Sequence, residues 1–311
     1  MVDITQNILE EEGLIVRSLS GFYDVLINHQ MFVCKPKGVF RHNKVKPLVG
    51  DRVRVALDLN DKESEHQIIE VLPRDNELVR PPMANVDYGI LVMSLIEPDF
   101  SYFLLDQYLV TLEYHHIKPI ILLTKLDLLI KEKGDKLASQ LVSEITNVYE
   151  QINYPVYIRH SDFNDPENYI SEFQPGIYVV MGQSGVGKST FLNQILDNVK
   201  LETNEISQSL NRGKHTTRQV TLYPYQHLLI ADTPGFSSLE LPKMDIVDLT
   251  RYFPEIYEAS QSCKFRSCVH NAEPQCHVKS LVDSNIISSN RYESYLTLLS
   301  KLQTQIDNFK Y

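Results

Sequence analysis

The hydrophobic pattern changes character along the chain. Residues 1–75 hold short runs in which apolar and polar residues alternate, "GLIVRSLSGFYDVLI", "QMFVCKPKGVF" and "GDRVRVALDL", separated by Gly, Asn and Pro turns. Alternation with a period of two predicts half-buried β-strands, because successive side chains leave a strand on opposite faces. Short strands joined by basic turns suit a small β-barrel, and an OB-fold is the leading choice. The following stretch, "LPRDNELVRPPMANVD", breaks the pattern with prolines and polar residues and reads as a linker.

From residue 86 to about 240 strand-like and helix-like segments take turns. "GILVMS", "KPIILLTK", "YPVYIR" and "GIYVVMG" are strand-like; "SYFLLDQYLVTLEYHH" and "KLASQLVSEITNVYEQI" have helical spacing. "DPENYISEF" reads as a short helix started by Asp165-Pro166. Such alternation predicts an α/β domain around a mostly parallel sheet. Beyond Pro242 the chain turns helical and polar, with a Cys/His knot and a final amphipathic helix from about Ser289. The expected organisation is a multidomain chain: a β-barrel over 1–75, an α/β domain over 76–242 and a mainly helical, metal-binding domain over 243–311.

Composition narrows the class. At 311 residues, 43% hydrophobic and 23% charged, the sequence resembles an ordinary soluble globular protein. The first twenty residues carry acids and no apolar core of a secretory signal, and no apolar run is long enough to span a bilayer. The expectation is a cytoplasmic protein with no membrane partner. A net charge of −10 argues against nucleic-acid binding through overall charge and leaves only local basic clusters for that role.

Candidate chemistry starts with "GQSGVGKST", which fits the phosphate-loop pattern between a strand and a helix. Gly182, Gln183, Ser184, Gly185, Val186 and Gly187 would wrap backbone amides around a β-phosphate, the glycines removing Cβ interference. Lys188 would reach the β- and γ-phosphates, Ser189 would ligate Mg²⁺, and Thr190 continues the helix N-terminus that favours the anion. Downstream, "HLLIADTPGFSS" delivers Asp232 toward Mg²⁺ and the Gly235 amide toward the γ-phosphate. Between them, "NRGKHTTRQV" offers a threonine hydroxyl to the Mg²⁺ shell, Thr217 being favoured and Thr216 the alternative. The position where many such enzymes carry a water-orienting glutamine is Phe236, which predicts slow intrinsic hydrolysis.

A guanine reader lies upstream, in "LLTKLDLL". Asp127 offers two carboxylate oxygens to the guanine N1–H and 2-amino groups, whereas adenine presents an acceptor at N1 and no 2-amino group. Lys125 can lay its aliphatic stem along the base. Thr124 replaces the usual asparagine and has fewer hydrogen-bonding groups with which to tie the reader to the phosphate loop. The reader precedes the phosphate loop, the reverse of the usual order. A circular permutation explains this, because the loops need only converge at the carboxyl ends of the strands.

Late in the chain "CKFRSCVHNAEPQC" supplies Cys263, Cys268, His270 and Cys276, a set able to close a tetrahedral structural Zn²⁺ shell and lend folding energy to a segment expected to lack its own core. His277 could geometrically replace His270. Cys34 stands alone and reads as a small buried residue of the barrel. Lys35, Lys37, Arg41, Lys44 and Lys46, with Phe40 nearby, form a basic hairpin suited to RNA, and Lys264, Arg266 and Lys279 surround the knot.

Taken in order, TKLD, GQSGVGKS, GKHTT and DTPG resemble the circularly permuted GTPases of the RsgA (YjeQ/YloQ) type, as do "VGDRV" and the late Cys/His cluster. The resemblance covers essentially the whole chain. It implies an N-terminal OB-fold, a C-terminal zinc domain that uses His270, and a monomer. It also implies hydrolysis of GTP to GDP and phosphate, stimulated by the small (30S) ribosomal subunit, with a role in late maturation of that subunit and contact with its rRNA. It further suggests His160 and Ser161 as a second base-contacting loop, and His215 as the group that orients water once a partner orders its loop. Two rivals remain at this stage: a nucleotide-gated rRNA-binding module with incidental hydrolysis, and a metabolic P-loop kinase.

Overall fold

The computed structural model describes residues 8–38, 40, 46–58, 66–159, 170–202, 220–232 and 241–308. The described strands are β1 (Ile8–Leu19), β2 (Phe22–Ile27), β3 (Gln30–Pro36), β4 (Arg52–Asp58), β5 (His66–Val71), β6 (Glu77–Leu78), β7 (Met83–Ala84), β8 (Tyr88–Ser94), β9 (Lys118–Thr124), β10 (Val156–Ile158), β11 (Gly176–Met181), β12 (Thr221–Tyr225) and β13 (Leu228–Asp232). The helices are α1 (Tyr102–Tyr114), α2 (Leu126–Lys133), α3 (Asp135–Glu150), α4 (Lys188–Glu202), α5 (Pro254–Ser260), α6 (His277–Asp283) and α7 (Ser289–Asn308). These residues gather into two compact units, one drawn from 8–88, 170–180 and 189–232, the other from 89–159, 181–188 and 241–308.

In the first unit five strands form the N-terminal barrel in the order β1-β2-β3-β5-β4, and β4 pairs back onto β1. A bulge between Ile15 and Arg17 bends β1, so that one long strand serves β4 with its first half and β2 with its second. Ile15, Val25, Ile27, Val53, Val55 and Ile68 are fully buried. Each contributes about 1.5–3 kcal/mol by leaving water. Cys34 is buried with them, and burial pushes its thiol up to about 12, which keeps it protonated and inert.

The segment expected to be a linker is instead part of this unit. β6 and β7 make a hairpin with Leu78 and Met83 buried. The fully buried Asp51 accepts 2.7 Å bonds from Arg74 Nε and from the Leu48 amide, while Arg74 Nη2 donates to the Lys46 carbonyl. Gly50 sits at φ +91°, and a Cβ there would lie 2.0 Å from the Ala84 carbonyl oxygen, so only glycine lets the hairpin approach so closely. The polar residues that suggested a linker are the ones that satisfy this buried backbone.

The same unit holds β11 parallel to β13 and β12 antiparallel to β13; β12 also pairs with β1 at Arg17↔Thr221. In the second unit the order is β10-β9-β8, with β10 parallel to β9. Helix α1 starts at Ser101, whose hydroxyl accepts from the Leu104 amide at 3.2 Å, and buries Leu105, Tyr108, Leu109 and Leu112 on one face. The short Cys/His segment, expected to lack a core of its own, joins one built from Leu249, Phe253, Ile256, Val278, Ile287, Tyr295 and Leu298, which includes Cys268 and Cys276 and also takes in Val110 of α1.

A buried ionic cluster fastens the C-terminal helices to α1 and α3. Arg291 on α7 donates to Asp106 on α1 at 2.7 Å and grips Glu255 on α5 at 2.7 and 3.0 Å. Tyr149 on α3 donates to the same Asp106 oxygen at 2.8 Å, and the Arg291 guanidinium lies 4.5 Å from the centre of the Phe253 ring.

Candidate functional site

The phosphate loop runs from the end of β11 into α4. Gly182 packs so closely that a Cβ on it would lie 2.3 Å from the Val92 carbonyl oxygen, and its φ of +144° suits only glycine. Gly185 and Gly187 also have positive φ, at +82° and +101°. Ser184 and Gly185 are exposed at the tip, Gln183 is half-buried and Val186 is buried beneath. Lys188 folds back over the loop and donates to the Gly182 carbonyl at 2.7 Å and to the Gln183 carbonyl. Burial pushes its ammonium below the ordinary value, a cost that an anion in the loop would offset. Ser189 and Thr190 are exposed in the first turn of α4.

The segment expected to read the base, TKLD, stands at the carboxyl end of β9. Thr124 is the last strand residue, Lys125 takes a left-handed conformation at φ +61°, and Asp127 lies exposed in the first turn of α2. The buried Thr124 hydroxyl donates to the Val186 carbonyl at 2.7 Å, so threonine makes the tie to the phosphate loop with its one proton. Lys125 donates to the Glu97 carbonyl. Arg159, which motif reading passed over, follows β10, and its amide donates to the Leu123 carbonyl at 2.8 Å. Its one sequence signal was its place at the end of the strand-like "YPVYIR". In the other unit Asp232 ends β13, and burial raises its carboxyl above the ordinary range, the direction a cation would reverse.

His160, Ser161, His215, Thr216, Thr217, Gly235, Phe236, Arg41, Lys44 and most of the short helix expected from Asp165 lie outside the described residues. Phe40 is a correction. It is buried and unavailable to stack on a base, whereas Phe22 on β2 is 38% exposed with the Lys35 ammonium 4.6 Å from its ring centre.

Cys263, Cys268, His270 and Cys276 bring their ligand atoms within 4.8 Å of one another and could hold a metal ion. Zn–S bonds of about 2.3 Å and Zn–N bonds of about 2.0 Å in a tetrahedron require S···S edges of about 3.8 Å and S···N edges of about 3.5 Å. The observed edges are 3.8 Å for Cys263–Cys276 and Cys268–Cys276, and 3.6 and 3.4 Å from His270 Nδ1 to Cys263 and Cys276. Burial pushes the Cys268 thiol up to about 12 and lowers the His270 imidazole, so a metal here would displace thiol protons from an already neutral histidine's neighbours. Glu273 accepts the Val269 and Asn271 amides and Tyr292 donates to the His270 carbonyl, fixing the turn that aims His270 inward. His277 lies outside the cluster, on α6 beside Ser280.

TKLD upstream of GQSGVGKS, on a chain with a five-stranded barrel and a helical Cys₃His region, matches the order of a circularly permuted GTPase. The RsgA GTPase family model matches residues 71–242 and the RsgA N-terminal domain model matches residues 12–64, and the chain belongs to the RsgA GTPase family. It is 46% identical over 299 residues to a small ribosomal subunit biogenesis GTPase RsgA of Enterococcus faecalis, covering 96% of this chain and 98% of that one. A relative of the same description from Shouchella clausii is 45% identical over 295 residues, covering 94% and 98%. Among solved structures, YloQ, a circularly permuted GTPase, superposes with a TM-score of 0.82 at 36% identity, covering 97% of this chain and 98% of that one. YjeQ from Thermotoga maritima gives 0.79 at 30% identity, covering 95% and 99%.

Proposed function

We propose that the protein is a GTP hydrolase that binds the small ribosomal subunit and acts in its late maturation, releasing GDP and phosphate at a rate the subunit stimulates. The observation that carries the nucleotide part is the Thr124–Val186 bond, which joins a carboxylate-bearing base reader to a phosphate loop. The subunit is the one in the names of relatives that align over nearly the whole chain.

In this reading Lys188 and the loop amides hold the phosphates, Asp127 and Lys125 hold the base, and Ser189, Asp232 and Thr217 would hold Mg²⁺, which when bound would neutralise developing charge. His160 and Ser161 complete the base pocket, Gly235 contacts the γ-phosphate, and His215 orients the attacking water in place of the glutamine that Phe236 displaces. The parts divide the work: 1–75 and the Cys₃His knot in 243–311 meet rRNA, while 76–242 binds and hydrolyses GTP. The protein works in the cytoplasm as a monomer; among the described residues no helix is long and apolar enough to cross a membrane.

Single-turnover hydrolysis of GTP is expected to accelerate when purified small subunits are added, and His215→Ala should remove most of that acceleration. Equal rates with and without subunits would favour the rival reading, an rRNA-binding module with incidental hydrolysis. The Cys₃His set is assigned one structural Zn²⁺. Metal analysis should find one zinc per chain, lost in Cys268→Ser together with several degrees of thermal stability. A full-stability, metal-free variant would rule out a folding role for the ion.

A further inference from the structure

We propose that Arg159 is a nucleotide-binding residue, a second cation that faces the phosphates across the loop from Lys188. The inference rests on the nucleotide reading above and adds a residue that no part of the phosphate-loop or base-reader motifs contains.

Arg159 is held firmly in place. β10 runs parallel to β9 in the register Val156↔Ile121, Tyr157↔Leu122 and Ile158↔Leu123, and the Arg159 amide then donates to the Leu123 carbonyl at 2.8 Å. The side chain therefore leaves the sheet at the carboxyl ends of the strands, beside Thr124, where ligands of open α/β sheets bind. The guanidinium reaches the phosphate loop. A Cβ built on Gly187 would find Arg159 Nη1 at 3.9 Å and Thr124 Oγ1 and Cγ2 at 4.0 Å. The Gly187 Cα face is thus neighboured both by a hydroxyl already bonded to the loop and by a permanent positive charge.

In a phosphate loop the amides around this glycine and the following lysine face the bound anion. A guanidinium about 4 Å from the Gly187 face can therefore share a nucleotide oxygen without any loop movement, and its planar fork suits phosphate. Lys188 is committed to the other rim, over the Gly182 and Gln183 carbonyls. One cation stands at the start of α4 and the other just after β10.

The test is equilibrium binding of GDP to full-length wild type, Arg159→Met and Arg159→Lys across a range of salt. Arg159→Met should bind GDP about tenfold more weakly at low salt, with a flatter salt dependence, because a charge contact is what screening removes. Arg159→Lys should recover most of the loss, and thermal midpoints of the nucleotide-free proteins should agree. Binding by Arg159→Met within twofold of wild type overturns the inference alone. So does an equal loss at every salt concentration with no recovery in Arg159→Lys, which would mark Arg159 as packing only. Wild-type protein that binds no GDP overturns the nucleotide reading and this inference with it.

Discussion

Arg291→Ala is expected to lower folding stability by about 3–5 kcal/mol, the range for breaking one side of a buried ionic cluster. Arg291 is 1% exposed, and Asp106 opposite it is fully buried. Burial alone would pull the guanidinium down, but the carboxylates of Asp106 and Glu255 hold it well above its ordinary value, so it is charged at every accessible pH. Alanine would remove the 2.7 Å bond to Asp106 and both bonds to Glu255, leaving the buried Asp106 carboxylate with only the neutral side chains of Tyr149 and Ser294 to hydrogen-bond it. It would also strip the cation from the face of Phe253, inside the C-terminal core. The uncompensated charge dominates the cost, and that distinguishes this cluster from a surface ion pair worth a fraction of a kcal/mol. A double variant, Arg291→Met with Asp106→Leu, should therefore recover much of the loss, since apolar groups of similar volume need no partner. Urea unfolding followed by circular dichroism measures all three differences. A single-variant loss below about 1 kcal/mol would show that water or neighbouring side chains compensate the buried acid.

The cluster also shows where sequence reading stops. Arg291 and Asp106 are 185 residues apart, and each looks like a surface residue of an amphipathic helix until the helices meet. The barrel and the α/β alternation were legible because burial there follows a period, two for strands and 3.6 for helices. β5 escaped because only Ile68 of "HQIIEV" is fully buried, too little to show alternation. β12, "TLYPY", follows a polar stretch and carries a proline. Residues 72–87 misled for a different reason. Asn76 and Asn85 are polar because they satisfy backbone groups, and Arg74 because it pairs with the buried Asp51; composition alone cannot separate such duties from solvent exposure. At the site, the phosphate loop was readable since its chemistry belongs to contiguous backbone. The tie from Thr124 to Val186 spans 62 residues, and Arg159 belongs to no local pattern, so both needed the fold. Phe40 was assigned to a groove by proximity to lysines, yet its side chain is buried.

Asp127→Asn should exchange the base preference of the protein, lowering GTP affinity about a thousandfold, near 4 kcal/mol, while raising affinity for xanthosine triphosphate. Guanine offers two donors on the reading edge, N1–H and the 2-amino group, and a carboxylate answers both with acceptors. Asparagine supplies one acceptor and one donor, so its amide would meet the 2-amino group donor to donor. Xanthine keeps N1–H but carries an oxygen at position 2, which restores the match. The exchange requires the side chain to keep its direction. Lys125 at φ +61° turns the chain sharply into α2, and the Thr124 hydroxyl pins the preceding residue to Val186, so the residue at 127 is aimed by backbone and not by its own contacts. Asp127 is exposed, hence asparagine in its place should leave folding intact. Thr124→Ala is the contrasting variant. Losing the tie should weaken guanine and xanthine nucleotides alike and leave their ratio unchanged, because the loop moves but the reading edge does not. Displacement of a fluescent guanine nucleotide analogue by each triphosphate gives both ratios. If Asp127→Asn still prefers GTP over the xanthine nucleotide, residue 127 does not read the base. If Thr124→Ala alters the ratio, the hydroxyl takes part in reading and is more than a tie.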